Sequence, residues 1–167
     1  MQGDTPRHEE FTPLALWARA LTWGAVAIGL RAVFVNPPGE GVFPSFVAAG
    51  ILSLGILVEA VFGGLRVRLY TDRIEVSLGR VGWIRKTIRY ETIERLDPVT
   101  YRPLKEFGGW GVRGFGDKQA WTARGDRALV LHLVGGARIY VGSEHPEQLA
   151  ERMRSAGNRR WDAGGRA

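Results

Sequence analysis

Cysteine is absent from the 167 residues, which excludes disulfides and thiolate metal sites. Histidine is nearly as scarce: His8, His132 and His145 share no metal-ligand spacing, and His132 falls inside an expected strand, which argues against a zinc site. No serine stands in a G-x-S-x-G elbow, and Ser143, just before an expected helix, suits capping better than nucleophilic attack. The acidic residues alternate with arginine rather than pairing with one another, so general acid-base chemistry has no candidate. Lysine is rare as well. Only Lys86, Lys105 and Lys118 occur among 23 Lys plus Arg, so arginine carries most of the net charge of +6.

Two long apolar runs dominate what is present. A spanning helix rises about 1.5 Å per residue through about 30 Å of hydrocarbon and so needs about 20 apolar residues. Residues 14–35 and 42–62 meet that length and are joined by the polar turn 36–41, so 14–62 is expected to form a transmembrane helical hairpin. The second run carries no charge before Glu59. The first contains Arg19 and Arg31, which would cost about 2.5–3.5 kcal/mol each at mid-membrane. Both sit near the run's ends, where their side chains can snorkel to the headgroups, with Trp17 and Trp23 as interfacial anchors. Counted from the turn, Arg19 and Glu59 reach similar depth on antiparallel helices, which makes them a candidate intramembrane ion pair. Small residues, Ala20, Gly24 and Gly29 on one run and Ala49, Ser53 and Gly55 on the other, are suited to close helix packing. The competing reading is a soluble protein with two buried core helices.

The connecting turn has no Lys or Arg, whereas Arg66, Arg68, Arg73 and Arg80 follow the second run closely. The positive-inside rule then places both termini and the remaining domain in the cytoplasm. Residues 1–13 are taken as a charged cytoplasmic lead rather than a cleaved signal peptide.

After Phe62 the pattern changes. Gly63-Gly64 ends the second helix and is the one obvious hinge. Period-two alternation marks strands at Leu65–Leu69 and Ile74–Leu78, and further strands are expected at Trp83–Tyr90, within Glu91–Val99, at Trp110–Phe115, Gln119–Ala123, Ala128–Leu133 and Arg138–Val141. Pro146, Glu147 and the spacing of Leu149, Ala150 and Met153 predict a helix over 146–156. Residues 157–167 read as a flexible tail. Such strands closed by one helix predict an α+β chain whose 65–156 portion is a small antiparallel barrel or sandwich.

The run Tyr101-Arg102-Pro103-Leu104-Lys105-Glu106-Phe107-Gly108-Gly109-Trp110-Gly111-Val112-Arg113, together with Gly142-Ser143-Glu144-His145-Pro146-Glu147-Gln148-Leu149, resembles bacterial membrane proteins that carry a pleckstrin-homology-like (PH-like) domain behind two spans. The resemblance implies a PH-like split β-barrel capped by a C-terminal helix, and binding or scaffolding rather than catalysis. It brings no active site and no cofactor. The basic motif with which some PH domains hold inositol phosphates has no clear counterpart, and the alternation of their strand explains Arg66 and Arg68.

Gly109-Trp110-Gly111-Val112-Arg113-Gly114 matches G-x-G-x-x-G literally, but lacks the preceding buried strand and following helix that a dinucleotide needs. Trp110 and Trp121 are expected to be neighbours across a hairpin, either as cross-strand packing or, with Tyr101 and Arg113, as a candidate interaction surface. The leading expectation is a membrane-tethered, non-enzymatic binding or scaffold module at the cytoplasmic face of the bacterial inner membrane. Its partners would be the lipid bilayer and other membrane proteins or a second copy, with no small-molecule substrate. The alternatives are a basic soluble nucleic-acid binder, disfavoured because cations and acids are interspersed, and an enzyme with an unrecognised site.

Overall fold

The alternation at Leu65, Val67 and Leu69 and at Ile74, Val76 and Leu78 puts six branched side chains on one side of two strands, and all six are buried. The computed structural model describes residues 5–35, 44–114 and 116–157, and the backbone of 162–163. The expected turn 36–41, the first two residues of the second run, Phe115 and most of the tail lie outside the described residues. In chain order the elements are β1 (His8–Pro13), α1 (Leu16–Val35), α2 (Pro44–Phe62), β2 (Gly64–Leu69), β3 (Arg73–Leu78), β4 (Arg85–Arg89), a 3-10 turn (Tyr90–Thr92), β5 (Ile93–Thr100), α3 (Pro103–Phe107), β6 (Gly111–Arg113), β7 (Lys118–Thr122), β8 (Arg127–Leu133), β9 (Arg138–Gly142), α4 (Pro146–Gly157) and β10 (Asp162–Ala163).

Two sheets result. The first has the order β1-β2-β3-β4 and is antiparallel throughout; the second has the order β10-β5-β8-β9-β7-β6. The expectation of wholly antiparallel strands fails in the second sheet, where β7 runs parallel to β9 and β10 parallel to β5. The cause is order. β9 turns back from β8 and occupies the place beside it, so β7, which runs in the same direction as β9, pairs with the far edge of β9 instead of with β8. Among the described residues no backbone ladder joins the two sheets into a closed barrel. A side-chain bond from Lys86 Nζ to Gln119 Oε1 (2.5 Å) links β4 to β7 instead.

The principal core lies between the sheets, with Leu96, Leu129, Leu131, Ile139 and Val141 facing the six residues of β2 and β3. Leu149, Ala150, Met153 and Ala156 recur at helical spacing on α4 and enter the same core, so the helix packs on both sheets. Strand β8 breaks the period-two rule: Ala128, Leu129, Val130 and Leu131 are all buried. A second cluster of Tyr101, Ala120, Ala128, Val130 and Tyr140, backed by Val99 and Phe107, covers its other face. A strand covered on both faces reads as a continuous apolar run.

The charged lead is a strand in the structure. Residues 8–13 form β1, registered with β2 from His8↔Leu69 to Pro13↔Gly64. Its composition is poor for a strand, but without it β2 would present an open row of backbone donors and acceptors. Thr12 is buried, and Glu9 meets both Arg66 and Arg68 at 3.2 and 3.3 Å. The hairpin is therefore an insertion between two adjacent strands, and its two ends lie side by side. The last rung is Leu14 N–H donating to Gly63 O at 2.9 Å.

Gly63-Gly64 is a close-packed joint and not a hinge. A Cβ on Gly63 would sit 2.2 Å from Glu59 O, and one on Gly64 2.6 Å from Phe11 Cζ. The β3–β4 turn closes over the same place. Gly79 N–H donates to Gly64 O (2.7 Å), while Arg80 and Val81 N–H donate to Ala60 O (2.9 and 3.3 Å), satisfying a carbonyl that the end of α2 leaves without a helical partner.

Helices α1 and α2 pack on each other, and very little of them is buried: Val26 and Val33 on one, Ala48 and Gly55 on the other. At Gly55 a Cβ would stand 2.7 Å from Val26 Cγ2, and Gly29 faces Ile51. Gly24 has nothing within 4 Å of such a Cβ, and Ala20, Ala49 and Ser53 are exposed. The two helices contribute nothing to the core between the sheets, so the reading of them as buried core helices of a soluble protein does not hold.

Candidate interaction surface at the base of the hairpin

Arg19 Nε lies 2.8 Å from Glu59 Oε1. It is a charge contact rather than an aligned hydrogen bond, because the buried Nε–H finds no acceptor in line. Each residue is three positions from the end of its helix at the joint, or about 4.5 Å along the axis. The pair sits at the base of the hairpin, beside the sheet and far from the middle of either helix. The contact predicts coupling. Arg19→Leu and Glu59→Leu should each lower the thermal midpoint, and the double variant should lose less than their sum by about 1 kcal/mol. Strictly additive losses in a double-mutant cycle would show that the pair is incidental.

The four residues proposed as one surface are divided. Trp110 and Arg113 remain together: Arg113 is exposed and its Nε donates to Trp110 O at 3.1 Å. Trp110 is half-buried, its Nε1 donates to Gly125 O at 2.8 Å, and its ring lies 5.8 Å from that of Trp17 at the foot of α1. Tyr101 is 4% exposed and packs edge-on against Phe107 and at a tilt against Tyr140. Burial raises its phenol pKa, and its hydroxyl lies beside the buried Thr122 hydroxyl without an aligned bond. Trp121 belongs to the principal core at 5% exposure, opposite Val112 in the β6–β7 ladder. Trp110 lies two residues before Val112 and outside the ladder, so the two indoles are not cross-strand neighbours.

Helix α3 positions this region. Pro103 occupies the first turn, and Gly108 closes the helix in the left-handed conformation at φ 70°, its N–H donating to Leu104 O while Gly109 N–H donates to Pro103 O. Pro103 and Gly108 are a start and stop signal legible in the sequence, yet the five residues between Arg102 and Gly108 are too few to show a helical period. Glu106 accepts the Arg102 N–H (2.9 Å) and Lys118 Nζ (3.2 Å), which hold its carboxyl below the usual carboxylate range. Lys118 in turn lies 4.8 Å over the Phe107 ring. Tyr101, Pro103, Leu104 and Trp110 line a shallow cleft of about 430 Å³ with Arg102, Lys105 and Asp126 at its rim. A second cleft brings Phe62 of α2 together with Leu78, Ile84, Trp110 and Val112. Trp110 thus touches both clefts and the hairpin.

The G-x-G-x-x-G stretch becomes the edge strand β6 with glycines at φ 127°, 110° and 79°. A Cβ on Gly114 would meet Lys118 O at 2.2 Å, so its glycine serves the turn into β7. Among the described residues no group of His, Asp and Glu has the arrangement of a metal site. His132 lies on the β5–β8 face, 2.7 Å from Asp97, which also holds Arg95 at 2.6 Å. His8 contacts Arg152 at 2.6 Å, and burial followed by that guanidinium lowers its pKa. The Ser143 hydroxyl accepts the His145 N–H (3.2 Å) and donates to Glu10 (2.9 Å), tying β1 to the start of α4. Glu147 is held below the usual carboxylate range by its own backbone N–H and then by Arg127, whose Nη2 donates to both carboxylate oxygens at 2.7 and 2.8 Å. Set against known proteins, the chain matches no protein-family model and no curated protein.

Proposed function

We propose that this chain is an integral membrane protein whose helical hairpin spans the bilayer and holds the β domain at its cytoplasmic face as a binding or scaffolding module. One observation carries the reading. Two helices of 20 and 19 residues are long and apolar enough to cross a membrane, and only 6% and 11% of their apolar windows are buried. Side chains as large as Leu21, Ile28, Phe34, Phe46, Leu54 and Ile56 stand exposed along them. In water each would forgo about 1.5–3 kcal/mol of burial, whereas hydrocarbon satisfies them at no such cost.

The return of both helices to one sheet requires that β1, β2 and everything after them lie on one side of the bilayer. Arg66, Arg68, Arg73 and Arg80 beside the joint support the cytoplasmic side of a bacterial inner membrane, since the positive-inside rule counts cations and not net charge. We read the β domain as a variant of the PH-like architecture, two sheets with a C-terminal helix across them, departing from it in the parallel β7–β9 pair. Binding is favoured over catalysis because the ionisable side chains are engaged with one another across the strands, as in Arg66 and Arg68 with Glu9, Arg95 with Asp97 and Arg127 with Glu147. That interspersed pairing also weakens the case for a nucleic-acid interface, which needs a continuous basic face. Tethering makes a weak contact with another membrane protein effective by raising its local concentration.

The absence of cysteine makes the test direct. In intact bacterial cells an impermeant maleimide should label Ser45→Cys, at the far end of α2, and leave Val134→Cys on the β8–β9 turn unlabelled until the cells are broken. Labelling of Val134→Cys in intact cells would invert the topology, and recovery of the protein in the soluble fraction without detergent would remove the tether.

A further inference from the structure

We infer that the β domain does not stand off from the bilayer on its hairpin but is seated in it, with the β3–β4 turn, residues 79–84, immersed in the lipid headgroup layer. The inference rests on the membrane-spanning reading of the hairpin and adds the surface by which the domain meets lipid.

Position comes first. Gly79, Arg80 and Val81 are hydrogen-bonded to Gly64 and to Ala60 in the last turn of α2. The turn is therefore fixed at the level where the helices leave the sheet, beside Phe62, which is 48% exposed, and on the same side of the domain as the Trp17–Trp110 contact. Chemistry comes second. The turn exposes Trp83 at 69% and Val81 at 46%, flanked by the exposed cations Arg80 and Arg85. A tryptophan and a branched aliphatic between arginines match the composition of a bilayer interface, where indole rings and guanidinium groups concentrate. Contrast is the third point. Elsewhere on the first sheet the arginines are matched to acids, as in Arg66 and Arg68 with Glu9 and Arg89 with Glu91, but among the described residues Arg80 and Arg85 make no ion pair. Anionic headgroups would supply the missing partners.

An exposed apolar residue at the other end of the domain provides the control. Val134 is 63% exposed, but its N–H donates to Thr92 O, and Tyr90 N–H donates to Asp72 O in the β2–β3 turn. It belongs to the end of the first sheet opposite the hairpin.

The full chain carrying one nitroxide label at Val81→Cys, Trp83→Cys, Leu54→Cys or Val134→Cys is reconstituted into vesicles of phosphatidylcholine and phosphatidylglycerol, and collisions with oxygen and with a water-soluble nickel complex are compared by spin resonance. Labels at positions 81 and 83 should show an oxygen-to-nickel ratio several-fold above that at 134 and below that at 54, with thermal midpoints like that of the unlabelled protein. Ratios at 81 and 83 equal to that at 134, with 54 still in hydrocarbon, overturn the seating and leave the hairpin reading intact. A label at 54 as accessible to nickel as the one at 134 overturns the hairpin reading itself.

Discussion

Excising residues 15–62 and joining Leu14 to Gly63 through Asn-Gly should leave a β domain that stays folded in aqueous buffer without detergent. The expectation follows from the register of β1 and β2. Pro13 pairs with Gly64, and the Leu14–Gly63 hydrogen bond forms the rung beyond it. Two strands so aligned need no more than a two-residue type I′ turn, for which Asn-Gly is well suited. The core between the sheets comes entirely from residues 65–156, so the excision removes none of it. The losses are the Ala60 carbonyl contacts, whose donors water can satisfy, and the packing of Trp17 and Phe62 beside Trp110 at the domain's surface. Circular dichroism and a cooperative thermal transition without detergent would verify it. Aggregation, or a broad transition, would mean that the hairpin is part of the domain's fold and not an insertion into it. A second chain beginning at Gly63 provides a comparison. It loses the six-residue β1 ladder and the Glu10–Ser143 bond, exposes the edge of β2, and should melt at a distinctly lower temperature.

Gly79→Ala should be the most damaging small substitution at the joint. Gly79 has φ +67°, which costs a residue with a side chain about 1–2 kcal/mol by itself. A Cβ there would also stand 2.3 Å from Ala60 O and 2.4 Å from Val61 O, both backbone atoms that cannot rotate away. The combined loss should exceed about 3 kcal/mol. Gly82 separates the two causes. Its φ is +69°, but the nearest atom to its Cβ position is Ser77 Oγ at 3.6 Å, so Gly82→Ala should show the conformational cost alone, about 1–2 kcal/mol. Equal losses at the two positions, measured by thermal unfolding in one detergent, would show that the turn does not press on the end of α2.

Both tests concern the joint, and the joint was the least legible part of the chain. Gly63-Gly64 looks like a flexible link in sequence because glycine serves flexibility and close packing alike. Distance to Glu59 O and Phe11 distinguishes the two; Glu59 O is brought to Gly63 by the end of α2, but Phe11 reaches Gly64 only when the strand before the hairpin meets the strand after it. The candidate surface was divided for a similar reason. Trp110 and Trp121 have similar local contexts, but the β6–β7 ladder begins only at Gly111, so strand pairing, which takes in Trp121 and omits Trp110, decides which indole enters the core. It buries Trp121 opposite Val112 and leaves Trp110 at the foot of the hairpin.

Local chemistry alone was enough for the elements whose signal is periodic or long. The lengths of the two apolar runs specify α1 and α2, alternation specifies β2 and β3, and the 149, 150, 153 spacing specifies α4. Tertiary structure decided where pairing, not composition, is the cause: β1, whose six residues His-Glu-Glu-Phe-Thr-Pro become a strand because β2 offers an open edge; the parallel union of β7 with β9; and the seat of the β3–β4 turn against α2. A hydrogen-bonded edge is a property of two segments far apart in the chain, and no window of residues read along one of them contains it.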